Sequence, residues 1–347
     1  MLSNENFNAL AKQLKVVGHN MRPGDTNLAI MPIFHGFGIG NSVHAQLCGK
    51  VSVILLPTFD AKKFDRLLKK YKPNMICGVP TLWEAMIKNK GFEHHDMSYL
   101  KYVVSGGDTL SVSQEENMNN FLRQHKSRIT LCKGLGMTEC LAAATFTHNK
   151  SNKLLSVGAP LPGNAIKIVR PETSEELGYH QEGEICISGP TVMLGYYHNE
   201  EETEKTLRIH DDQKVWLHTG DIGYLDETGT VFFTQRLKRI IVSSGYNVYP
   251  SRIEEVTKSH HTVDNCMVVS MPHKYKIQVP KAYIVLKDLY KSTDEIQQEI
   301  QELCRQNLAK YSLPYEYEFR QSLPKTLLGK INYRELQNEA NIEDNEK

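Results

Sequence analysis

Two lysines near the end of the chain have the residue type for chemistry on anions. The stretch LPKTLLGKI, residues 323–331, carries Lys325 and Lys330 five positions apart, and a glycine directly precedes the second lysine. A lysine ammonium is a compact charge on a flexible stem, which suits contact with two anions that meet at one place. Most lysines on turns, however, are only solvated. The spacing alone therefore leaves open whether either lysine is catalytic.

Two polar, glycine-rich loops indicate a ligand site. Residues 105–108 (SGGD) follow the apolar run LKYVV, and residues 134–139 (GLGMTE) follow ITLC. Each loop by itself is also explained as a tight turn. In a parallel sheet, however, loops after consecutive strands lie at the same edge, outside the carboxyl ends of the strands, where ligands bind. We therefore expect one shared site at this edge.

The elements that must position these loops alternate between strands and helices from about residue 50 to 135. VSVILL, residues 51–56, is a continuous apolar run and predicts a strand that is covered on both faces. Asp60 is placed to cap the helix that follows, and Pro73 is placed to end it. An amphipathic helix in residues 7–14 comes earlier. The β-α-β-α order predicts an α/β fold with a doubly wound, largely parallel sheet.

The pattern becomes rich in strands after about residue 155 and changes again near residue 236. EGEICISGP alternates apolar and polar positions, and YLDETGTVFF predicts a hairpin around residues 226–230. We therefore predict three parts: an α/β subdomain (1–152), a β-rich subdomain (153–236) and a small α+β C-terminal domain (237–347).

Composition argues against several classes of protein. Among 347 residues, 41 basic and 40 acidic side chains give a formal charge of +1, which argues against a nucleic-acid-binding surface. No apolar run approaches the length of a transmembrane helix, and the first residues lack the pattern of a signal peptide. Seven cysteines without a C-x-x-C pair indicate neither a disulfide framework nor a zinc site. Reduced thiols and a cytoplasmic location fit this composition best.

Several motifs, taken together and in order, resemble those of the acyl-adenylate-forming superfamily. This superfamily includes acyl-CoA synthetases, luciferases and peptide-synthetase adenylation domains. The similarity runs from residue 1 to about residue 340. The motifs that carry it are PIFHGFG (32–38), SGGD (105–108), GLGMTE (134–139), EGEICISGP (182–190), MLGYY (193–197), HTGD (218–221), RLKR (236–239), SSGYN (243–247) and PKTLLGKI (324–331).

The resemblance implies a carboxylate–CoA ligase that works in two steps. A carboxylate attacks the α-phosphate of ATP to give an acyl-AMP and pyrophosphate, and the thiol of coenzyme A then displaces AMP. The expected substrate is a fatty or other hydrophobic acid, and ATP/AMP, magnesium and coenzyme A are the expected cofactors. Two alternatives stay open. One is a ligase of the peptide-synthetase type that loads the phosphopantetheine of a carrier protein. The other is a non-catalytic module that only binds a nucleotide or an acyl-adenylate.

The resemblance also assigns roles to single residues. Lys330 matches the catalytic lysine that bridges the carboxylate and the α-phosphate, and Lys325 is then the turn residue. Thr138 matches a phosphate contact, and Glu139 matches the ligand of the magnesium ion, a hard cation that prefers carboxylate oxygen. Asp221 matches the residue whose two oxygens accept both ribose hydroxyls.

The remaining assignments complete the implied site. Leu135 stands where many relatives have a tyrosine that stacks on adenine, so part of the stacking energy is lost here. Lys238 matches the hinge about which the C-terminal domain swings between the two steps. His35 and Gly36 match the acyl-substrate pocket, although a histidine satisfied by backbone groups is the alternative. The nucleotide or coenzyme A contacts are Gly106, Gly107, Asp108, Gly134, Leu135, Gly136, Met137, Phe233, Arg236, Ser244, Gly245 and Tyr246.

One feature of these enzymes, a glycine-rich phosphate loop, has no counterpart in this sequence. Relatives carry a Ser/Thr/Gly-rich loop just before the segment that resembles MLSNENF, and the sequence contains no such loop. The chain therefore resembles the C-terminal two-thirds of an adenylate-forming enzyme. Backbone amides of such a loop would cradle the outer phosphates of ATP. We expect the chain alone to be defective in the adenylation step, to favour AMP over ATP, and to self-associate through an uncovered face.

Overall fold

Two units make up the chain in the computed structural model, which describes residues 1–345 apart from residues 19, 57, 149–150 and 327–329. The first unit comprises Met1–Phe233, and the second comprises Thr234–Lys347. Among the described residues, none of the helices has both the length and the apolar character needed to cross a bilayer.

The first unit contains a parallel sheet with its helices and a β-rich part. Its helices are α1 (Asn4–Val17), α2 (Ala45–Cys48), α3 (Phe64–Tyr71), α4 (Pro80–Lys88), α5 (Val112–Gln124) and α6 (Glu200–Thr206). Its strands are β1 (Thr26–Ala29), β2 (Ser52–Leu55), β3 (Met75–Gly78), β4 (Tyr102–Ser105), β5 (Cys132–Lys133), β6 (Thr145–Phe146), β7 (Ser156–Pro160), β8 (Ala165–Val169), β9 (Gly183–Ser188), β10 (Leu207–Ile209), β11 (Val215–Leu225) and β12 (Val231–Arg236), the last of which ends in the second unit.

The parallel sheet has the strand order β2-β1-β3-β4-β5, and all its pairs are parallel. This order confirms the predicted α/β fold class. Asp60 caps the turn that leads into α3 by accepting a hydrogen bond from the Lys62 N–H at 3.0 Å, as predicted. Helix α3 ends at Tyr71, two residues before Pro73. The apolar faces of the helices pack with β1, β3 and β4 in one core, which includes the fully buried Trp83.

The prediction that residues 51–56 form a strand covered on both faces is wrong in its burial. The strand exists as β2, but it lies at the edge of the described sheet, and its end residues Ser52 and Leu55 are exposed. A continuous apolar run predicts a strand of a parallel sheet well. It does not distinguish an edge strand from a central one, because that depends on which other strands pair with it.

The β-rich part forms a second sheet with the order β6-β7-β12-β11-β9-β8, to which β10 adds by pairing with β11. The predicted hairpin around residues 226–230 is confirmed, since it joins β11 to β12. A buried ion pair between Lys133 on β5 and Glu115 on α5, at 2.7 Å, lies beside this sheet. Lys133 also donates to the carbonyl of Lys153 at 2.9 Å, and Lys153 in turn pairs with Asp226. These charges therefore connect α5 and β5 to the β11–β12 hairpin.

The second unit is a small α+β fold, which confirms the predicted class of the C-terminal part. Its helices are α7 (Pro250–Lys258), α8 (Asp294–Asn307) and α9 (Tyr333–Asn345). Its strands are β13 (Ile241–Ser243), β14 (Tyr246–Val248), β15 (Val263–His273), β16 (Ile277–Leu286) and β17 (Glu316–Arg320). They pair in the order β14-β13-β16-β15, and β17 adds to β16. Lys281 in the middle of β16 is fully buried and pairs with Glu316 and Glu318, each at 2.8 Å.

Asp226 gives a pH-dependent test of the hairpin. Burial alone would raise its pKa, but hydrogen bonds from Lys153, Thr228 and Thr230 lower it well below the usual range. A carboxylate with a depressed pKa stabilises the fold above its unfolded pKa of about 4, and this contribution is lost as the pH falls. We expect Asp226→Asn to lower the free energy of unfolding at pH 7 by about 1–2 kcal/mol.

Urea unfolding at pH 7 and at about pH 3 measures the effect, and the difference between wild type and variant should shrink at the lower pH. Asp211→Asn on an exposed turn is the matched control and should leave stability unchanged. A difference between wild type and Asp226→Asn that is equal at both pH values would contradict the assigned role of the charge.

Candidate functional site

The loops after β4 and β5 lie at the carboxyl edge of the parallel sheet, where the sequence predicts a site. Gly106 packs on the ring of Phe37, since a Cβ on this glycine would lie 3.3 Å from the Phe37 Cζ atom. Gly107 has a φ of 82°, and both Gly107 and Asp108 are exposed. The chain that follows His35 and Gly36 therefore contacts the SGGD loop. It continues as a π-helical segment, Phe37–His44.

Two glycines approach the backbone just after the predicted metal ligand Glu139. A Cβ on Gly36 would lie 2.0 Å from the carbonyl oxygen of Leu141. A Cβ on Gly136 would lie 1.4 Å from the carbonyl oxygen of Ala142. Any side chain at either position would collide with main-chain atoms, so glycine is required for these contacts. They bring the predicted substrate residues, the GLGMTE loop and Glu139 into one place.

Glu139 lies in a 3₁₀ turn, Thr138–Cys140, with Thr138 exposed and Glu139 half-buried. The hydroxyl of Tyr196 donates a hydrogen bond to Glu139 Oε1 at 2.7 Å. Burial and this hydrogen bond raise the pKa of Tyr196 to about 12, so the phenol keeps its proton and acts as a donor at neutral pH. The Glu139 side chain is therefore oriented by a partner from the MLGYY segment.

A β-bulge in β11 presents the predicted ribose ligand. The antiparallel pairing with β9 runs to His218 opposite Cys186 and resumes at Ile222 opposite Glu184. Residues 219–221 thus face a single residue of β9 and leave the ordinary ladder. Bulges of this kind bend a strand and redirect its side chains, and they are frequent beside functional sites.

Side chains replace the ladder hydrogen bonds that the bulge removes. Gly220 has a left-handed φ of 66°, and its N–H donates to Glu184 Oε1 at 2.9 Å. The Asp221 N–H donates to Thr219 Oγ1 at 3.0 Å, and this hydroxyl donates to the Ile185 carbonyl at 2.6 Å. The Asp221 side chain is buried. The backbone of the bulge is therefore held on both sides, and it carries a buried carboxylate.

Glu139 and Asp221 act on the same thiol, although they are 82 residues apart in sequence. Burial raises the pKa of Cys140 to about 12, and the negative charges of Glu139 and Asp221 contribute to the rise. The 3₁₀ turn and the bulge therefore each supply a carboxylate to the surroundings of Cys140. Such a pair offers hard oxygen ligands for a magnesium ion and acceptors for sugar hydroxyls. The donor set fits the nucleotide and the metal that the motifs predict.

Another group of side chains has the composition of a metal site. Among the described residues, the ligand atoms of Glu184, Cys186 and His218 lie within 4.8 Å of one another, and all three side chains are buried. Both oxygens of Glu184 already accept hydrogen bonds, however, and the positive charge of Lys167 acts on Cys186. These features disfavour a cation. The group is better described as a hydrogen-bonded cluster, and Glu139 lies outside it.

The RLKR segment lies in the second unit and forms a 3₁₀ turn, Leu237–Arg239. Arg236 and Lys238 are exposed. Arg239 instead pairs with Glu254 and donates to the Val268 carbonyl at 3.1 Å, so it anchors the turn. The motif therefore contains one structural cation next to two exposed ones.

Ser244 and Gly245 form the two-residue turn between β13 and β14, with φ values of 50° and 81°. Positive φ at both positions is the geometry of a type I′ hairpin turn. Tyr246 is exposed and stacks on Tyr311, with ring centroids 4.7 Å apart. The predicted coenzyme A contacts are thus an exposed turn with an aromatic pair beside it.

Lys330 directly follows residues 327–329, which lie outside the described residues. Its carbonyl accepts a hydrogen bond from the Thr326 N–H at 2.8 Å. Lys325 pairs with Ile331 in an isolated antiparallel bridge. Lys325 is exposed and Lys330 is half-buried. The two lysines therefore differ in exposure and in their backbone contacts.

The other predicted residues have varied environments. His35 is half-buried, and its Nδ1 accepts a hydrogen bond from the Phe37 N–H at 3.2 Å, so a backbone group orients the ring. Leu135 and Met137 pack against the core beneath the second sheet. Gly134 approaches the Thr145 carbonyl, and Phe233 is half-buried on β12.

Two residues that contact the site carried no assigned role in the sequence. Tyr196 orients Glu139, and Glu184 accepts the N–H of the bulge. Both lie in motifs that the resemblance had already identified, MLGYY and EGEICISGP. The motifs therefore indicated the two segments. Only the strand register and the hydrogen bonds show which residue of each motif contacts the site.

Gly36→Ala tests the close approach on which this arrangement depends. The new Cβ would lie 2.0 Å from the Leu141 carbonyl oxygen, so one backbone segment must move. We expect the free energy of unfolding to fall by about 2 kcal/mol or more in urea titrations. Gly178→Ala is the matched control, because its Cβ would meet only Gln181 Nε2, at 3.6 Å. Equal stability of the two variants would show that residues 36 and 141 do not pack in this way.

Comparisons with known proteins agree with the motifs. A model of the AMP-binding enzyme family matches residues 1–197, and a model of the AMP-binding enzyme C-terminal domain matches residues 252–330. The long-chain-fatty-acid–CoA ligase of Bacillus subtilis is 34% identical over 342 residues, which are 97% of this chain and 58% of the ligase. The luciferin 4-monooxygenase of Luciola mingrelica is 32% identical over 91% of this chain and 56% of its own length. The chain thus spans less than three-fifths of these two curated relatives.

Solved structures show the same fold with ligands. ATP-bound MatB from Rhodopseudomonas palustris has a TM-score of 0.88 at 26% identity, over 98% of this chain and 64% of MatB. The o-succinylbenzoate–CoA synthetase MenE of Bacillus subtilis, in complex with ATP and a magnesium ion, has a TM-score of 0.80 at 25% identity, over 98% and 66%. The first family match alone covers more than half of the 347 residues. This chain belongs to the AMP-binding enzyme family.

Proposed function

We propose that this chain binds an adenosine nucleotide at the edge of its parallel sheet and carries site residues of a carboxylate–CoA ligase of the AMP-forming type, with slow adenylation by the chain alone because it has no phosphate loop. The reaction joins a fatty or other hydrophobic acid to coenzyme A through an acyl-AMP. Similarity to long-chain-fatty-acid–CoA ligases of three or more bacteria supports this substrate class.

The observation that carries the proposal is that two distant elements of irregular backbone each present a carboxylate in the surroundings of Cys140. Glu139 comes from the turn after β5, and Asp221 comes from the bulge in β11. Tyr196 holds the carboxylate of the first, and the bulge hydrogen bonds hold the backbone of the second. Glu139 follows β5 at the carboxyl edge of the parallel sheet, where ligands bind, and this position favours a binding role over a purely structural one.

Each residue then has a role that its environment supports. Asp221 accepts the two ribose hydroxyls with its two oxygens. Glu139 holds the magnesium ion, which neutralises phosphate charge when it is bound. The exposed hydroxyl of Thr138 donates to a phosphate oxygen. Lys330 supplies positive charge between the carboxylate and the α-phosphate, and Arg236 contacts the ribose or a phosphate. Chemistry of this type needs mainly charge and positioning from the protein.

The second step uses residues of the second unit. The unit boundary at residues 233/234 lies a few positions before Lys238, whose exposed turn can absorb a change of backbone dihedrals. Rotation about this hinge would replace Lys330 at the acyl-AMP by the Ser244–Gly245 turn. Exposed backbone at that turn and the Tyr246–Tyr311 pair suit contact with the pantetheine chain.

Asp221→Asn tests the nucleotide site directly. The substitution keeps the shape of the side chain but removes its charge and replaces one acceptor by a donor. Because hydrogen bonds to a charged group contribute roughly 1.5–3 kcal/mol, we expect AMP to bind about 10- to 100-fold more weakly in isothermal titration. Asp211→Asn should match wild type. If wild type does not bind AMP, or if Asp221→Asn binds it equally well, the proposed site is wrong.

Alanine variants of Lys330 and Lys325 are a matched pair that tests the adenylation step. Under single-turnover conditions, with a long-chain fatty acid and ATP–magnesium, even slow formation of acyl-AMP can be measured. Lys330→Ala should slow this step by about 10²–10³-fold, as expected for the loss of one charge that stabilises the transition state. Lys325→Ala should leave the rate unchanged.

Thioester formation from supplied acyl-AMP and coenzyme A separates the two steps. Lys330→Ala should retain this activity, because the lysine acts before the acyl-AMP exists. An equal loss of both half-reactions would contradict the assignment of Lys330 to adenylation.

A further inference from the structure

The Glu184 side chain takes the place of a backbone hydrogen-bond acceptor at the bulge of β11. Its Oε1 accepts the Gly220 N–H at 2.9 Å, and its Oε2 accepts the His218 Nδ1–H at 2.8 Å. The residue is 5% exposed. The carboxylate therefore joins the residue before the bulge to the residue in its middle. Asp221 follows Gly220 directly, so the position of its backbone depends on the same hydrogen bond.

A second histidine fixes the orientation of the first. His210 Nε2 lies 2.9 Å from His218 Nε2, so one of the two nitrogens carries the shared proton. His210 is 4% exposed and stacks on Trp216, with ring centroids 5.9 Å apart. Burial, with the nearby charge of Lys167, lowers the pKa of His210, which favours its neutral form.

The charge state of Glu184 agrees with this network. Burial alone would raise its pKa, but hydrogen bonds from His218 and Gly220 lower it below the usual value. The group is therefore an ionised carboxylate at neutral pH, with both oxygens occupied. An ionised acceptor forms stronger hydrogen bonds than a neutral one, and this strengthens its hold on the bulge.

We propose that Glu184 is a positioning residue for nucleotide binding, which acts through the Gly220 N–H to hold Asp221 in the geometry that accepts the ribose hydroxyls. This inference rests on the proposed function of the site. Glu184 itself does not contact the nucleotide, since both of its oxygens are used within the protein. Its effect should therefore appear only for ligands that Asp221 recognises and only while Asp221 is present.

Two substitutions separate the hydrogen bonds from the charge. Glu184→Ala leaves the buried donors of Gly220 and His218 without their acceptor, which is costly. Glu184→Gln keeps an oxygen for the Gly220 N–H, and its amide N–H can donate to His218 Nδ1 once the imidazole adopts the other tautomer. The glutamine variant should therefore retain the bulge.

Isothermal titration with AMP and with 2′,3′-dideoxyadenosine monophosphate tests the inference. Glu184→Ala should weaken AMP binding about tenfold, and Glu184→Gln should restore most of the affinity. Binding of the dideoxy analogue should change less than about twofold in either variant, because that ligand lacks the hydroxyls. In a chain that carries Asp221→Ala, adding Glu184→Ala should weaken AMP binding by less than about twofold, since the two residues act as a unit.

Ile187→Val is the control for lost stability on the same strand. It removes one buried methylene on β9, away from the bulge, and should lower the midpoint of thermal unfolding without weakening AMP binding. The inference is overturned if Glu184→Ala binds AMP like wild type, if it weakens both ligands equally, or if its effect persists fully without Asp221. Failure of wild type to bind AMP at all would instead overturn the proposed function.

Discussion

The arrangement of the first unit depends on a close approach between backbone segments that only glycine allows. Gly36 and Gly136 both contact the main chain of residues 141–142, at distances that leave no room for a Cβ. Backbone segments that touch directly have little freedom to shift, because each is tied to its own element. Residues 141–142, just after Glu139, are therefore held between Gly36 in the segment after β1 and Gly136 of the GLGMTE loop, and the acidic side chain is presented from a rigid support.

The second carboxylate, that of Asp221, lies on a β-bulge. At the bulge of β11 the ladder is interrupted, and side-chain oxygens of Glu184 and Thr219 take the freed N–H groups. Buried N–H groups need acceptors, so an interruption in a sheet persists only where such replacements exist. Both acidic residues of the site thus stand on irregular backbone that the surrounding structure supports. Irregular backbone that neighbouring residues hold in place is common at ligand-binding sites.

Within the second unit, the structure separates a motif residue that holds the fold from motif residues that are exposed or half-buried. Arg239 is bound to Glu254 and to the Val268 carbonyl, whereas Arg236 and Lys238 on the same turn are exposed. Lys325 and Lys330 likewise differ in exposure and in their place on the loop. Neighbouring basic residues in a motif therefore do not share one role, and an alanine variant of Arg239 would report on stability and not on the site.

The sequence by itself determined the fold class, most element positions and the identity of the motif residues. Hydrophobic periodicity, caps such as Asp60 and the order of the motifs are local signals, and each can be recognised within a short window. The tertiary structure alone decided that β2 is an edge strand, that Tyr196 holds Glu139, and that Glu184 closes the bulge before Asp221. These features depend on contacts between residues far apart in sequence, 57 positions for Tyr196 and Glu139 and 36 positions for Glu184 and Gly220. In a strand, moreover, a one-residue change of register would turn every side chain to the other face.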